Sequence, residues 1–284
     1  MKTIFRIGTG CLLAAPLFLS CSGSDRSTGE GATTSSSAAR PAAIREEAVT
    51  ITAYRATLQC FLYTDSANKS PRPAVIVIPE WWGLNDYAKG RARQLAGLGY
   101  TALALDMYGN GQVAADPKAA IALATPFYTD PAKGSGRLAA ALEYLKGRPE
   151  TDTARTGAMG YCFGGTMALL GARSGLPFAG VVSFHGDFPE GPWPRDAYRG
   201  NVLICHGAAD SMVSRASFEA FGRKLDSAAV RHTDRSYPNS THAFTNPDAT
   251  ATGARFGLPI RYNGAADTAS WTDMQAFWRS VFGR

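Results

Sequence analysis

The chain lacks an apolar run long enough to cross a bilayer, any internal repeat and any clustered basic face, and it holds only five cysteines and four histidines in 284 residues. Each shortage excludes something. The longest apolar stretch, residues 7–19, falls short of the roughly 20 residues a spanning helix needs. The formal charge is +6, yet residues 1–45 carry five basic against two acidic residues, which leaves 24 basic against 21 acidic elsewhere. A balance of +3 spread over a folded domain is no electrostatic footprint for nucleic acid, so no nucleic-acid partner is expected. Cys11 and Cys21 fall in the N-terminal segment, and the remaining Cys60, Cys162 and Cys205 are odd in number and form no disulfide framework. Cys60 and Cys205 sit in apolar, strand-like runs and read as inert buried thiols. Cys162 does not.

The first twenty residues read as an export signal: Lys2 and Arg6 precede the apolar run, and Phe18-Leu19-Ser20-Cys21 resembles a bacterial lipobox, which makes Cys21 the candidate for lipidation. An ordinary cleaved secretory signal is the other reading, and both export the protein. Residues 21–45 are Ser-, Gly-, Thr- and Ala-rich and bury too little to offset chain entropy, so they are expected to be a disordered linker. Behind a lipidated Cys21 they would tether the domain of residues 46–284 to the periplasmic face of a membrane, the only membrane contact expected.

Through that domain short apolar runs alternate with longer helical patterns, which predicts an α/β fold with a mostly parallel central sheet flanked by helices. Strands are expected at residues 49–54, 57–63, 74–79, 101–106, 156–161, 180–184, 202–206 and 231–237. Helices are expected at residues 86–98, 117–124, 131–146, 164–174, 215–227 and 271–282. The first two strands, joined by a short link, should pair as an antiparallel edge. In such sheets ligands bind at the carboxyl ends of the strands, where Glu80, Asp106, Cys162, His185, His206 and Asp210 fall.

Met159-Gly160-Tyr161-Cys162-Phe163-Gly164-Gly165 follows an apolar strand and opens a helix, the pattern of a nucleophile elbow. Small residues flank the nucleophile because side chains there would collide with the strand and helix being joined. At a helix N-terminus, Cys162 gains an environment that favours thiolate and oxyanion. Nucleophile, acid and histidine follow one another in chain order around such an elbow. His185 and His206 precede the best acid and His232 lies in a polar run, so His242, in a loop after the last strand, is the base by elimination. Asp210, in the loop after a strand, ranks ahead of Asp106 and Asp187, which read as caps or turn residues. Glu80 either caps its loop or serves the site from the loop that supplies an oxyanion N–H through Trp81, the second N–H coming from Phe163. Trp81 and Trp82 either wall an apolar substrate pocket or are plain core.

Ile78-Pro79-Glu80-Trp81-Trp82-Gly83-Leu84, Asp106-Met107-Tyr108, Gly160-Tyr161-Cys162-Phe163-Gly164-Gly165, His206-Gly207-Ala208-Ala209-Asp210 and His242-Ala243-Phe244 together resemble the dienelactone hydrolase family. The resemblance implies the α/β-hydrolase fold, a Cys162-His242-Asp210 triad, and a Glu80 that interacts with the thiol and helps to activate it when substrate binds. It implies hydrolysis of a small-molecule ester or lactone through an acyl-cysteine, with no metal or organic cofactor. In one respect the chain departs from the family. Arginines that hold a substrate carboxylate are missing both after the histidine, at Phe244-Thr245-Asn246-Pro247, and after the strand end, at Tyr108-Gly109-Asn110-Gly111. A carboxylate would be buried poorly paired there, which argues against dienelactone itself. The rivals are a non-catalytic lipoprotein on the same fold, which predicts a broken triad, and a redox-active Cys162, which would want a resolving cysteine nearby.

Overall fold

The computed structural model describes residues 42–53 and 55–283. The expected export segment, Cys21 and most of the expected linker lie outside the described residues. Eight strands form one sheet: β1 (Ile44–Ala53), β2 (Ala56–Asp65), β3 (Arg72–Ile78), β4 (Thr101–Ala104), β5 (Thr151–Tyr161), β6 (Gly180–Phe184), β7 (Asn201–Gly207) and β8 (Arg231–Tyr237). Their spatial order is β1-β2-β4-β3-β5-β6-β7-β8. The first two strands pair antiparallel with each other, β2 pairs antiparallel with β4, and every other pairing is parallel. The fold is therefore the mostly parallel α/β sheet expected, with its antiparallel edge. β1 begins two residues before residue 46, because Ile44 and Arg45 already pair with Asp65 and Thr64.

Among the described residues seven helices flank the sheet: α1 (Asp86–Gly97), α2 (Pro117–Thr129), α3 (Pro131–Lys146), α4 (Phe163–Arg173), α5 (Arg215–Ser227), α6 (Ala249–Phe256) and α7 (Gly264–Phe282). Strand alternation divides the apolar β3 between two cores. Ala74, Ile76 and Ile78 face Leu138 of α3 and Met167 of α4, whereas Val75 and Val77 face Leu95 of α1 and Trp278 of α7. Side-chain caps set several helix starts, with Asn85, Asp116, Ser214 and Asn263 each accepting from a backbone N–H three residues on.

Three helices differ from expectation. The short α6 buries only Ala249 and Gly253, so it has no apolar stripe for a periodicity to show. The Asn263 cap starts α7 seven residues before residue 271, in a first turn without large apolar residues. In α2 the chain stays helical past Pro126, and this carries Phe127 into the core. Among the described residues no helix is long and apolar enough to cross a membrane.

The strand order decides what meets at the carboxyl edge. β3, β5, β6, β7 and β8 are consecutive neighbours, so the segments carrying Glu80, Cys162, His185, Asp210 and His242 leave the sheet side by side. At the opposite end of the strands Trp278, fully buried, occupies space left by missing side chains: a Cβ on Gly157 would stand 2.6 Å from its ring. Gly157→Ala should therefore cost about 1–3 kcal/mol by overpacking. Combined with Trp278→Phe it should cost less than the two single changes summed. Urea unfolding of the four proteins measures both quantities.

Candidate active site

Cys162 sits between β5 and α4 at φ 51° and ψ −119°, a region costly for any side-chain-bearing residue. The turn is possible only because its neighbours are glycines. A Cβ on Gly160 would lie 2.1 Å from the Gly164 carbonyl oxygen, and one on Gly164 would lie 2.3 Å from the carbonyl of Ile78. Within the turn the Cys162 N–H is shared between the Phe184 carbonyl at 2.9 Å and His185 Nδ1 at 3.1 Å. The Cys162 carbonyl accepts from Gly165 and Thr166. The side chain is thus held proud of the sheet at the start of α4, partly exposed.

His242 Nε2 stands 3.0 Å from Cys162 Sγ, and His242 Nδ1 stands 2.9 Å from Asp210 Oδ2. The other Asp210 oxygen accepts the N–H groups of Met212 and Val213 at 2.8 and 2.9 Å, so the carboxylate is fixed and its side chain fully buried. Burial pushes the Asp210 carboxyl up, but hydrogen bonds from His242 and the backbone outweigh it and hold the group below the usual carboxylate range. Burial likewise opposes charge on His242. The Cys162 sulfur and the Asp210 carboxylate overcome it and hold the imidazole well above its ordinary value. An arrangement of this kind can take a proton from sulfur at Nε2 while Asp210 stabilises the imidazolium.

The structure brings Glu80 to the same edge, 3% exposed, but its hydrogen-bond partner is Asn246, whose Nδ2 donates to Oε2 at 2.6 Å. Asn246 lies in the stretch after the histidine where the resemblance would place an arginine. A neutral amide does not offset desolvation as a cation would, and burial pushes the Glu80 carboxyl up to about 7, tempered by Asn246 and His242. Glu80 is therefore a mixture of acid and carboxylate near neutral pH.

Three residues the sequence did not single out for a role tie the edge together. His185, also at positive φ, accepts from the Cys162 N–H at Nδ1, so Nε2 carries the proton and donates to Thr245 Oγ1 at 2.7 Å. Burial and the nearby His242 hold His185 well below its usual range, in the neutral form this bonding requires. Thr245 also meets the Tyr87 hydroxyl at 2.7 Å, and its carbonyl accepts from the buried Arg91, which is paired with Asp267 at 2.5 Å. The Cys162 turn and the histidine loop are thereby braced through side chains of α1 and α7. His185 could be noticed as a strand-end residue, but nothing local marks Thr245 or Asn246. The other strand-end residues stand apart: His206 stacks on Phe218, and Asp106 accepts the N–H groups of Gln59, Gly109 and Gly111 as a turn residue.

A cavity of about 240 Å³ opens beside Cys162 and His242, with Trp81 and Phe163 in its wall. Neither the Trp81 nor the Phe163 N–H donates to a backbone acceptor among the described residues. Trp82 is not in this wall. Trp82 meets the Trp81 ring edge-on at 5.1 Å but stacks on Phe256 at 6.0 Å and borders a different cavity, with Val113, Asn246 and Asp248. The expectation of Trp82 in the substrate pocket is corrected accordingly. Among the described residues no group of His, Cys, Asp and Glu is placed to hold a metal ion.

The sheet order and the convergence at its carboxyl edge define an α/β hydrolase. Residues 58–282 match the dienelactone hydrolase family, and the chain belongs to that family and is a hydrolase. A carboxymethylenebutenolidase of Pseudomonas putida is 31% identical over 118 residues, 39% of this chain and 49% of that one. The chain thus spans about half of that relative. A Bradyrhizobium protein described as a probable 2-oxo-3-(5-oxofuran-2-ylidene)propanoate lactonase is 29% identical over 184 residues, 61% of this chain and 73% of the relative. Among solved structures, a dienelactone hydrolase-like promiscuous phosphotriesterase from metagenomic libraries is 35% identical, with a TM-score of 0.79 over 84% of this chain and 98% of its own.

Two outcomes are expected from the site's geometry. Burial pushes the thiols of Cys60 and Cys205 up to about 12, so iodoacetamide at pH 7.5 should label Cys162 first, and His242→Ala should slow that labelling; peptide mapping reads both. The second concerns pH. Because folding raises the Glu80 pKa from 4.5 to about 7, its contribution to stability is complete below 4.5 and is lost as pH rises through 7. Glu80→Gln should abolish that loss, gaining roughly 3 kcal/mol over wild type between pH 4.5 and 8. Urea unfolding across that range, read as the difference between the two proteins, isolates this carboxyl from other titrating groups.

Proposed function

We propose that the protein hydrolyses a carboxylic ester or lactone through Cys162, His242 and Asp210, with an acyl-cysteine intermediate. One observation carries the reading: the Sγ···Nε2 and Nδ1···Oδ2 contacts of 3.0 and 2.9 Å lie in series, with the sulfur on a cavity wall. His242 Nε2 takes the Sγ proton, and the thiolate attacks the substrate carbonyl carbon. A C–S bond forms while the carbonyl π pair moves onto oxygen, beside the N–H groups of Phe163 and Trp81. Collapse of the tetrahedral adduct breaks the C–O bond, and the leaving alkoxide takes the proton from His242. Water, deprotonated by His242, then attacks the thioester; the thiolate leaves and the carboxylic acid is released. In a lactone the leaving oxygen stays tethered to the acyl group.

Glu80 belongs to this reading as the group that sets the charge balance around the sulfur and His242. Near neutral pH it can hold or release a proton, and a substrate that excludes water from its surroundings would favour the neutral acid. The N-terminal signal-like segment and Cys21 support an exported enzyme, tethered to a membrane by a lipid.

The test is acyl-enzyme trapping. Quenched at acid pH early in turnover of an activated aryl ester, the wild-type protein should carry the acyl mass on the Cys162 peptide, and Cys162→Ala should carry none. His242→Ala should lower kcat by 10²-fold or more, on the order expected for a lost general base. Ester turnover surviving in Cys162→Ala would overturn the reading.

A further inference from the structure

The cavity beside Cys162 has an uneven chemistry. Among the described residues no lysine or arginine lines it; beside Cys162 and His242, its charged side chain is the carboxylate of Asp187, in the segment after β6. Asp187 Oδ1 accepts only the N–H of the next residue, Phe188, and no ion pair of Asp187 exists among the described residues. Its charge is felt across the cavity. Together with burial and the Cys162 sulfur, it helps to hold the Tyr128 hydroxyl above its ordinary range.

Cations of α3 and α5 are engaged elsewhere. Arg137 donates to the Met107 carbonyl, Lys133 lies over the Phe127 ring at 4.9 Å, and Arg215 pairs with Glu219 at 2.7 Å. The rim is apolar: Ile121, Tyr128 and Met212 border the opening at 55, 50 and 47% exposure, three of the five exposed large hydrophobic residues described. Scattered exposed apolar residues need no explanation, but three around one opening form a surface an apolar substituent would cover. Inside, the Thr166 hydroxyl is buried beside the Tyr128 hydroxyl, so the wall offers neutral polar groups where a carboxylate-binding site would need a cation.

We propose that Asp187 is a specificity-determining residue, and that the cavity admits esters and lactones whose bound substituent is apolar and either neutral or cationic while repelling carboxylate-bearing ones. This rests on the ester- and lactone-hydrolase reading above and states which members of that class the site takes. A cavity of about 240 Å³ is small against the Debye length of about 8–10 Å at moderate salt, so dissolved ions screen little between a charge seated in it and the exposed Asp187, and the water around the carboxylate keeps the effect modest. The selection therefore acts through field rather than contact, and it weakens as salt is added.

The experiment uses two matched sets of aryl esters carrying a trimethylammonium, a tert-butyl or a carboxylate group, on the acyl part in one set and on the alcohol part in the other. The readout is the ratio of kcat/KM for the cationic over the anionic ester, which cancels any general loss in a variant. For wild type at low ionic strength the ratio should exceed about fivefold in at least one set, the size expected of one carboxylate at that range. It should fall towards one in Asp187→Asn and invert in Asp187→Lys, and 0.5 M salt should compress all three. A wild type that hydrolyses the tert-butyl esters with a ratio of one or below in both sets overturns the charge selection and leaves the hydrolase reading standing. So does a ratio that Asp187→Lys does not change. Failure to turn over any of the esters, with no acyl mass on Cys162, defeats the hydrolase reading and the selection with it.

Discussion

The organisation of this protein depends on how closely β5 and α4 approach at Cys162. At Gly160 and Gly164 the chain has no room for a methyl group, and between them a side-chain-bearing residue is forced to φ 51°. Strain of this kind persists only where the surroundings over-determine the backbone. Here the shared N–H of Cys162 ties the turn to β6 through Phe184 and His185, and the first turn of α4 ties its carbonyl. The backbone places the Cys162 Cβ beside the histidine loop, and the sulfur stands 3.0 Å from His242 Nε2.

The brace through His185, Thr245 and Arg91 couples that turn to the histidine loop, which has little regular structure of its own beyond a single bridge between His242 and Ile260. Each member of the brace is buried, and each hydrogen bond is made at low local dielectric, where a lost partner is costly. The histidine loop can therefore be irregular without being loose. The same burial raises the Glu80 carboxyl and keeps His185 neutral, while His242 holds Asp210 below the carboxylate range and the Cys162 sulfur and Asp210 together raise the affinity of His242 for a proton. Which groups ionise at this edge is decided by pairing more than by exposure.

Much of this was legible beforehand, residue by residue. The apolar runs of β3, β6 and β7 show their buried, two-sided character directly, and Gly160 shows its turn because a methyl there would meet Gly164 four residues on, whereas Gly164 is required by the distant Ile78 carbonyl. Cys162, Asp210 and His242 could be ordered along the chain, and the strand order brings all three to hydrogen-bonding distance. The short α6 and the early turn of α7 were hidden because their stability comes from a cap and from neighbours rather than from an apolar stripe.

The sequence by itself determined the alternation of strands and helices, the glycine-flanked turn at Cys162 and the chain order of Cys162, Asp210 and His242, since these follow from patterning and residue chemistry. Only the tertiary structure decided that Glu80 answers to Asn246, that His185 and Thr245 brace the Cys162 turn, that Trp82 borders a different cavity from the one Trp81 lines, and that Asp187 is left on the wall of the latter. Those relations join residues from distant parts of the chain or depend on which side of a loop a residue faces. Burial, which sets their protonation, is a property of the assembled surroundings.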